Sequence, residues 1–236
     1  MENITIFVVL LILLVFAGLV IFSITANRRA KEAREQMAQT LGMTPVGKEV
    51  IPPPTPDYTP FATKLKEANP NWVFSWAPWV TQVRTFEALR RLGWQGDYIA
   101  WAHIEAEGEL VRLKDPKLYV IGANALFQDD LPIHKEIIAA AKAGNVKYPA
   151  QQMAEGWIGG LVLEAALNNV AWPPTPAKVA AAMQSVNVDT KGLRGGALVW
   201  SKDNHFRTRQ YYRVYKWDTA KASIVRAKDW FAYDVK

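Results

Sequence analysis

Histidine and carboxylate side chains are the residues of this chain most suited to hydrolytic or metal chemistry. Their densest group is His103, Glu105 and Glu107, which together resemble the corner of a metal site. Residues at alternate positions of a polar loop are more often simply solvated, however. The other two histidines, His134 and His205, are distant in sequence, and no H-x-x-x-H, HExxH or nucleophile-elbow pattern occurs. The sequence therefore predicts a protein that is not an enzyme and that uses no metal or other cofactor.

Two further groups imitate chemical motifs. Asp129 and Asp130 form a carboxylate pair, but a helix cap ahead of the following proline accounts for them without chemistry. Gly156, Gly159 and Gly160 imitate a phosphate-binding glycine signature. They lie inside a helical pattern, where small residues more often indicate close packing.

The middle of the chain is predicted to consist of alternating helices and strands, and these elements would position the residues of any site. Their order, with short loops, predicts an α/β fold with a parallel sheet covered by helices. In residues 197–230, three strand-like runs predict antiparallel hairpins added to that sheet. The predicted elements are a helix at 57–68 capped by Asp57, a strand at 72–77, a helix at 81–92, and strands at 97–101 and 117–123.

Residues 4–25 form an unbroken run of apolar and small hydroxyl residues. At ~1.5 Å per residue, a helix of this length covers a hydrocarbon core of about 30 Å. The run is too long for the apolar region of a signal peptide and has no positive charge before it. It predicts an uncleaved membrane anchor, with these lipid-facing residues: Ile4, Phe7, Leu11, Leu14 and Phe22.

The basic residues Arg28, Arg29, Lys31 and Arg34 follow this run and are expected to meet lipid head groups. Positive charge next to a span favours the cytoplasmic side, so charge alone places the rest of the chain in the cytoplasm. The sequence from residue 26 to 41 predicts a helix that continues from the span and ends at Gly42. The predicted organisation is an anchor at 1–27, a juxtamembrane helix and proline-rich connector at 28–56, and an α/β domain at 57–236.

Composition narrows the possible partners. The net charge is +6, but the remaining Lys and Arg are scattered among Asp and Glu, which excludes a basic nucleic-acid-binding face. The chain has no cysteine, and therefore no disulfide or thiolate chemistry. Ten tryptophans are more than core packing alone is expected to need, and Trp is favoured at lipid interfaces and protein contacts.

An ordered series of segments resembles the second lobe of type I periplasmic solute-binding proteins, in the branch that serves branched-chain amino acid, amide and urea ABC transporters. The resemblance covers residues 41–236 and implies a truncated, Rossmann-like, three-layer domain. Later segments, at 148–168, 176–184 and 192–196, resemble that family's later helices and its glycine turn. The segments that carry the resemblance are DYTP at 57–60, KLK at 64–66, NP at 69–70, WVFSWAP at 72–78, FEALRRLG at 86–93 and DYIAW at 97–101.

The differences from that family concern its first lobe. In the family two lobes close on a solute, whereas here the predicted membrane span stands where most of the first lobe would be. Residues 132–183, which cover the first lobe in the family, are present. Their apolar positions, such as Trp157 and Leu161, are expected to fold back on the remaining sheet or to contact another protein.

The resemblance also implies ligand-binding positions. Trp76 and Trp79 fall near the aromatic residue that lines the family's cleft after the strand WVFSWAP. The carboxylate that usually holds a ligand ammonium group follows the strand DYIAW, but here His103 stands there, and Glu105 comes two residues later. These four residues are the candidate ligand contacts, and an ordinary amino-acid ligand is not expected.

Two functions are consistent with these features. The first is a non-catalytic accessory or structural subunit of a bacterial membrane complex, with other integral membrane subunits and the lipid bilayer as partners. It accounts for the missing lobe, the absent carboxylate and the many aromatic residues, and the sequence favours it. The second is a membrane-tethered receptor for a small polar solute, such as an amide, urea or an amino acid, linked to an ABC transporter. The resemblance implies a periplasmic domain and the charge rule implies a cytoplasmic one, so the sequence leaves both orientations open.

Overall fold

The computed structural model of the protein describes the backbone of residues 2–52, 55–101, 106–148, 150–203 and 207–235. Within these ranges, the side chains of residues 2–15, 19, 34, 37, 150 and 151 lie outside the description. The chain forms two compact units, Met1–Val50 and Ile51–Lys236.

The first unit contains one helix, α1, which spans Glu2–Thr40. The predicted helix over residues 26–41 is confirmed as its second half. Gly42 ends it at a φ of 67°, a left-handed conformation that glycine adopts without a steric penalty. The Met43 N–H donates to the Ala38 carbonyl at 2.8 Å, so one of the last carbonyls of the helix is paired.

Within the part of the chain that the structure describes, no helix combines the length and the apolar character needed to cross a bilayer. The membrane span predicted for residues 4–25 is therefore not confirmed. Several of the residues assigned to lipid lie outside the described side chains, namely Ile4, Phe7, Leu11, Leu14 and Arg34.

The other residues assigned to lipid are exposed. Phe22 is 72% exposed, and Arg29 is also open to solvent. Arg28 and Lys31 pair with carboxylates one turn later along the helix, Arg28 with Glu32 at 3.0 Å and Lys31 with Glu35 at 3.7 Å. Both pairs are solvent-exposed, and such i,i+4 pairs contribute only a few tenths of a kcal/mol.

The second unit is an α/β domain. Its helices are α2 (Thr59–Glu67), α3 (Trp79–Arg91), α4 (Ala106–Leu113), α5 (Pro132–Ala143), α6 (Ala154–Leu167) and α7 (Pro176–Met183). Its strands are β1 (Trp72–Ser75), β2 (Asp97–Trp101), β3 (Leu118–Gly122), β4 (Asn187–Val188), β5 (Leu198–Val199), β6 (Arg209–Asp218) and β7 (Ser223–Asp234). Two 3-10 turns, Phe127–Asp129 and Ala150–Met153, precede α5 and α6.

The main sheet has the strand order β1-β2-β3-β6-β7. The first three strands are parallel, and β6 and β7 add to β3 as an antiparallel hairpin. The prediction of a parallel sheet with an antiparallel extension is confirmed. Burial alternates along β2, β3 and β6, which shows that one face of the sheet is covered. Its core includes Phe86 of α3, Leu110 of α4 and Tyr215 of β6.

A second hydrophobic cluster lies in the segment between β3 and β6. Buried residues of α5 and α6 pack there with residues of a small antiparallel sheet that β4 and β5 form. The residues 197–201 were predicted to join the main sheet, and β5 instead pairs with β4. Both strands are only two residues long, too short for a pattern of alternation to reveal their partner.

Two predicted helix caps are wrong in detail. The N-cap of α2 is Tyr58, and Asp57 instead accepts a hydrogen bond from the Thr59 N–H at 2.9 Å. The N-cap of α5 is Leu131, so the carboxylates of Asp129 and Asp130 do not cap that helix. Asp130 adopts a φ of 47°, a left-handed conformation that Asp tolerates better than most residues.

Candidate functional site

The carboxyl ends of β1, β2 and β3 meet at one edge of the main sheet, because these three strands are parallel. The hairpin extends this edge, since Gly122 at the end of β3 pairs with Arg213. Residues 209–212 of β6 therefore run past the end of β3. In open α/β sheets, ligands bind outside the carboxyl ends of the strands. We call this region the carboxyl edge.

Five aromatic side chains form a continuous row at the carboxyl edge, and we call them the aromatic row: Trp76, Trp101, Tyr212, Phe231 and Tyr233. Trp76 stacks on Trp101 with ring centroids 4.3 Å apart and an interplanar angle of 27°. Trp101 meets Tyr212 edge-on at 5.4 Å, and Tyr212 contacts Phe231 and Tyr233 at 6.0 and 6.3 Å. These separations are those of favourable aromatic pairs.

The two ends of the aromatic row are open to solvent. Trp76 is 68% exposed and Tyr233 is 63% exposed, whereas the three members between them are partly buried. Single exposed aromatic rings are common on protein surfaces, but aromatic rings in contact with one another at an exposed edge often mark a ligand or partner site. The row therefore offers flat apolar contact area at the sheet edge where a ligand is expected.

A single buried amide holds the first two rings of the row in place. Gln82 of α3 is fully buried, and its Nε2 donates to the carbonyls of Ala77 and Trp101 at 2.8 and 3.0 Å. Its Oε1 accepts from the Trp101 N–H at 2.8 Å. Both the loop that follows β1 and the end of β2 are thereby tied to the same side chain.

A buried ion network lies behind the hairpin. Asp129, in the turn before α5, accepts hydrogen bonds from Arg213 at 2.9 Å, from the Tyr215 hydroxyl at 3.0 Å and from Arg226 at 2.8 Å. The side chains of Asp129 and Arg213 are 5% and 8% exposed. Burial raises the pKa of Tyr215 to about 12, which keeps its hydroxyl protonated as a donor. The network fixes the point where the chain leaves the main sheet.

Glu107 of α4 clamps the same turn from another side. Its carboxylate accepts hydrogen bonds from the N–H groups of Phe127 and Gln128, at 3.0 and 2.9 Å. Burial raises the pKa of Glu107, and the charge of Asp129 acts in the same direction, while the two N–H donors oppose the shift. The described contacts of Glu107 are thus structural.

The return of the chain toward β6 is also closely packed. A Cβ at Gly195 would lie 2.8 Å from the Trp230 ring, so only glycine fits against this indole. The guanidinium of Arg213 lies 4.2 Å from the centre of the same ring. In addition, the Ala125 N–H donates to the Leu193 carbonyl at 2.9 Å, which joins the outgoing and returning segments directly.

The structure separates the four residues proposed as ligand contacts. Trp76 lies in the aromatic row and is open to a ligand. Trp79 is 6% exposed and belongs to the core at the start of α3, and its buried indole N–H has no hydrogen-bond partner among the described residues. His103 and Glu105 lie outside the described residues. Ligand contact by Trp76, Trp79, His103 and Glu105 stays a prediction.

No group of described His, Asp or Glu residues has an arrangement that could hold a metal ion. The metal corner considered for His103, Glu105 and Glu107 falls partly outside the described residues. The glycines of α6 were interpreted as close-packing positions, and this is wrong. Beyond the backbone of the helix itself and the adjacent residues, a Cβ at Gly156, Gly159 or Gly160 would meet no atom of the described residues within 4 Å.

Sequence reasoning missed Tyr212, Gln82 and the arginines around Asp129. The run of aromatic residues in β6 was visible, but its alignment with Trp101 depends on the pairing of β6 with β3. Gln82 stands in an amphipathic helix, where a polar residue is ordinarily expected on the solvent side. The pairing of Asp129 with Arg213 and Arg226 spans 84 and 97 positions, and no local pattern encodes such contacts.

Comparison with known proteins adds to this geometry. The family model described as "Periplasmic binding protein" matches residues 23–222. A branched chain amino acid ABC transporter protein from Thermus thermophilus, solved with bound valine, superposes with a TM-score of 0.70 at 12% identity, covering 84% of this chain and 55% of its own. An ABC transporter substrate binding protein from Aeropyrum pernix gives 0.68 at 13% identity, with coverages of 83% and 54%.

A third structure is the solute binding protein of an ABC transporter from R. palustris, in complex with 4-hydroxybenzoate. Its TM-score is 0.66 at 14% identity, and the match covers 87% of this chain and 56% of that protein. At these identities the likeness shows the fold alone. No curated protein sequence matches the chain.

The chain spans about half the length of the solved structures that it matches. The family model, by contrast, extends over most of the chain. It includes strands β1 to β6 and ends in the turn before β7. The described fold, a mixed sheet with a parallel core and an antiparallel hairpin, agrees with that match. The chain belongs to the periplasmic binding protein family.

Proposed function

We propose that this chain is a solute-binding component of an ABC-type transport system, which holds a small solute at the carboxyl edge of its main sheet. The single observation that carries the proposal is the aromatic row, which presents exposed rings at the edge where open α/β sheets bind ligands. The matched proteins from Thermus thermophilus and R. palustris hold valine and 4-hydroxybenzoate, both small carboxylates. Transport-linked solute binding is the function we infer from these features together.

The first test is a ligand screen on the full chain by thermal denaturation. The panel contains amino acids, amides, urea and small aromatic acids, and we expect at least one to raise the melting temperature in a saturable way. Trp76→Ala should weaken that ligand by about tenfold, because an aromatic contact and its buried area are lost. Trp172→Ala is the matched control, since Trp172 is 87% exposed and lies outside the aromatic row. A panel without any saturable shift would contradict the proposal.

A second candidate function is that of an accessory subunit within a membrane complex. The observation in its favour is the exposed apolar surface of α6 and the loop after it, where Leu163 is 48%, Leu167 37% and Trp172 87% exposed. Contiguous exposed apolar residues often mark protein contacts. Isolation of the chain from native membranes in mild detergent tests this candidate. Stoichiometric integral membrane partners other than transporter permeases would favour it over solute binding.

The cellular location of the α/β domain is part of the same proposal. Members of the periplasmic binding protein family act outside the cytoplasm, and we propose that Ile51–Lys236 lies on the periplasmic side of a bacterial inner membrane. The unbroken apolar run at residues 4–25 is the feature that supports attachment to that membrane.

A further inference from the structure

One side of α6 packs in the second hydrophobic cluster, and the opposite side is apolar and open to solvent. The open side carries two exposed glycines, Gly156 and Gly160, followed by two exposed leucines, Leu163 (48%) and Leu167 (37%). Their spacings of four, three and four residues place them along one line of the helix, as in the seams through which helices pair. We call the first pair the glycine hollow and the second pair the leucine ridge.

The glycine hollow has room for side chains of another helix. Beyond the backbone of α6 and the adjacent residues, a Cβ at either glycine would meet no described atom within 4 Å. A groove of about 570 Å³ runs past the hollow along α6, with Trp157 and Leu161 among its lining residues. Helices approach most closely where glycine takes the place of a side chain. The surface therefore combines a hollow with a ridge of the same apolar character.

This surface of α6 fits a second copy of itself when the two helices run antiparallel. Leu163 of one copy then lies against Gly160 of the other. By the same symmetry, Leu167 lies against Gly156. Each leucine ridge thus enters the glycine hollow of the other copy, and a surface that meets itself about a two-fold axis is the contact of most homodimers.

Charges at the two ends of the groove are also complementary in this arrangement. Arg194 pairs with Glu155 at 2.8 Å, so the segment that contains Lys191 lies at the N-terminal end of α6. Lys191 pairs with Glu136 at 3.6 Å, and both side chains are about half exposed. Glu164 lies toward the other end and pairs with none of the described basic residues. Antiparallel pairing brings each Glu164 next to Lys191 of the second copy, whose ammonium group can hold two carboxylates.

We propose that two copies of this chain associate through α6, in antiparallel orientation, with the leucine ridge of each copy in the glycine hollow of the other. A second copy is the occupant that these features select, because one surface provides both shapes and both charges of a two-fold contact. The pairing also sets the opposite dipole ends of the two helices side by side, which is favourable. The proposal concerns a different surface from the aromatic row and does not depend on solute binding.

The first test is the mass of the full chain in a mild detergent, measured by light scattering over a range of concentrations. We expect a rise from one chain to two. Leu163→Arg should raise the dissociation constant at least about tenfold, because it places a charge in an apolar contact. Gly160→Leu should do the same by filling the hollow, and it meets no described atom of its own chain outside α6 and the adjacent residues. Val111→Arg is the matched control, since Val111 is a 47% exposed residue of α4, and it should leave the dimer unchanged.

Introduced cysteines test the register, because the chain has no cysteine of its own. Gly156→Cys and Leu167→Cys, purified separately and mixed under mild oxidation, should form a disulfide-linked dimer, since the antiparallel register places these positions opposite each other. Gly156→Cys alone should not, because its two copies would lie about 16 Å apart along the helices, beyond the reach of a disulfide.

A charge reversal tests the two ends of the groove. Glu164→Lys should raise the dissociation constant about fivefold, because it replaces an attractive contact with a repulsive one at two places in the dimer. Addition of Lys191→Glu to that variant restores opposite charges and should recover most of the loss. Absence of any recovery would contradict the contact between these two residues.

A full chain that stays monomeric up to its highest soluble concentration would overturn the inference, as would a dimer that Leu163→Arg and Gly160→Leu leave unchanged. Cross-linking of Gly156→Cys alone, without cross-linking in the mixture, would refute the antiparallel register. Capture of a different membrane protein that Leu163→Arg releases, in the absence of self-association, would replace the second copy by another subunit.

Discussion

Gln82 illustrates how much of the candidate site depends on one side chain. Its amide makes three hydrogen bonds to backbone groups of Ala77 and Trp101, and it is fully buried. Backbone groups at the end of a strand cannot be left unpaired in the interior without a cost of about 1–3 kcal/mol each. Helix α3 therefore fixes the positions of Trp76 and Trp101 through the hydrogen bonds of Gln82, although α3 contributes no ring to the aromatic row.

We expect Gln82→Leu to lower the free energy of unfolding by about 2–4 kcal/mol, because leucine has a similar volume but leaves buried backbone groups without partners. It should also weaken binding of the ligand that the solute screen identifies. Urea denaturation of the full chain measures the first effect. Gln95→Leu is the matched control at an exposed position and should change stability by less than about 0.5 kcal/mol. Equal stabilities of the two variants would contradict this role of Gln82.

The position of a residue could be anticipated from sequence only where its neighbours in sequence determine its surroundings. Trp76 follows a strand and was expected near the cleft, and it lies at the carboxyl edge. Trp79 was expected beside it, but α3 begins two residues earlier than predicted and turns this indole into the core. Asp129 was expected to cap a helix and instead binds two arginines of the hairpin. Such contacts depend on tertiary pairing, which periodicity and capping patterns do not describe.

The elements of the domain are joined by ionic contacts at the point where the chain leaves the main sheet. Asp129 connects the 3-10 turn before α5 to both strands of the β6–β7 hairpin. Because its carboxylate is buried between two arginines, loss of its charge leaves guanidinium groups without full compensation. The hairpin and the outgoing segment are thus stabilised as one structure.

We expect Asp129→Asn to destabilise the protein by about 3 kcal/mol, because an isosteric neutral group cannot balance Arg213 and Arg226. The neighbouring Asp130→Asn is the matched control. The Asp130 side chain is 74% exposed and pairs with an exposed lysine, and Asn tolerates its left-handed backbone. Chemical denaturation of both variants gives the comparison, and a loss for Asp130→Asn as large as that for Asp129→Asn would refute a special role for the buried carboxylate.

At the level of elements, the sequence predicted the parallel core well. The strand Asp97–Trp101 has the predicted ends, and the predicted helix at 81–92 differs by two residues or fewer at each end. These segments have clear periodicity and turn residues at both ends. The pairing of β5 with β4 was not predictable, because a two-residue strand carries no periodic signal.

At the scale of the whole molecule, sequence and structure differ in the apolar run at residues 4–25. Residues 4–25 were predicted to span a bilayer, and no helix in the described part meets the requirements for a span.

We expect the full chain to stay in the membrane pellet after an alkaline carbonate wash. The double variant Leu11→Arg and Leu14→Arg should release it, since each arginine near the centre of a span costs about 2.5–3.5 kcal/mol of insertion. Leu41→Arg is the matched control outside the run and should leave the protein in the pellet. Release of the unmodified chain by carbonate would contradict the anchor.

The stacked indoles of Trp76 and Trp101 have an optical consequence. Two identical chromophores whose centroids lie 4.3 Å apart at an angle of 27° share their excited states, so their transitions couple and split. The protein therefore carries a built-in chiroptical reporter at the carboxyl edge, with one indole at the end of β2 and the other in the loop after β1. Any event that separates these rings abolishes the coupling while every tryptophan of the chain is still present.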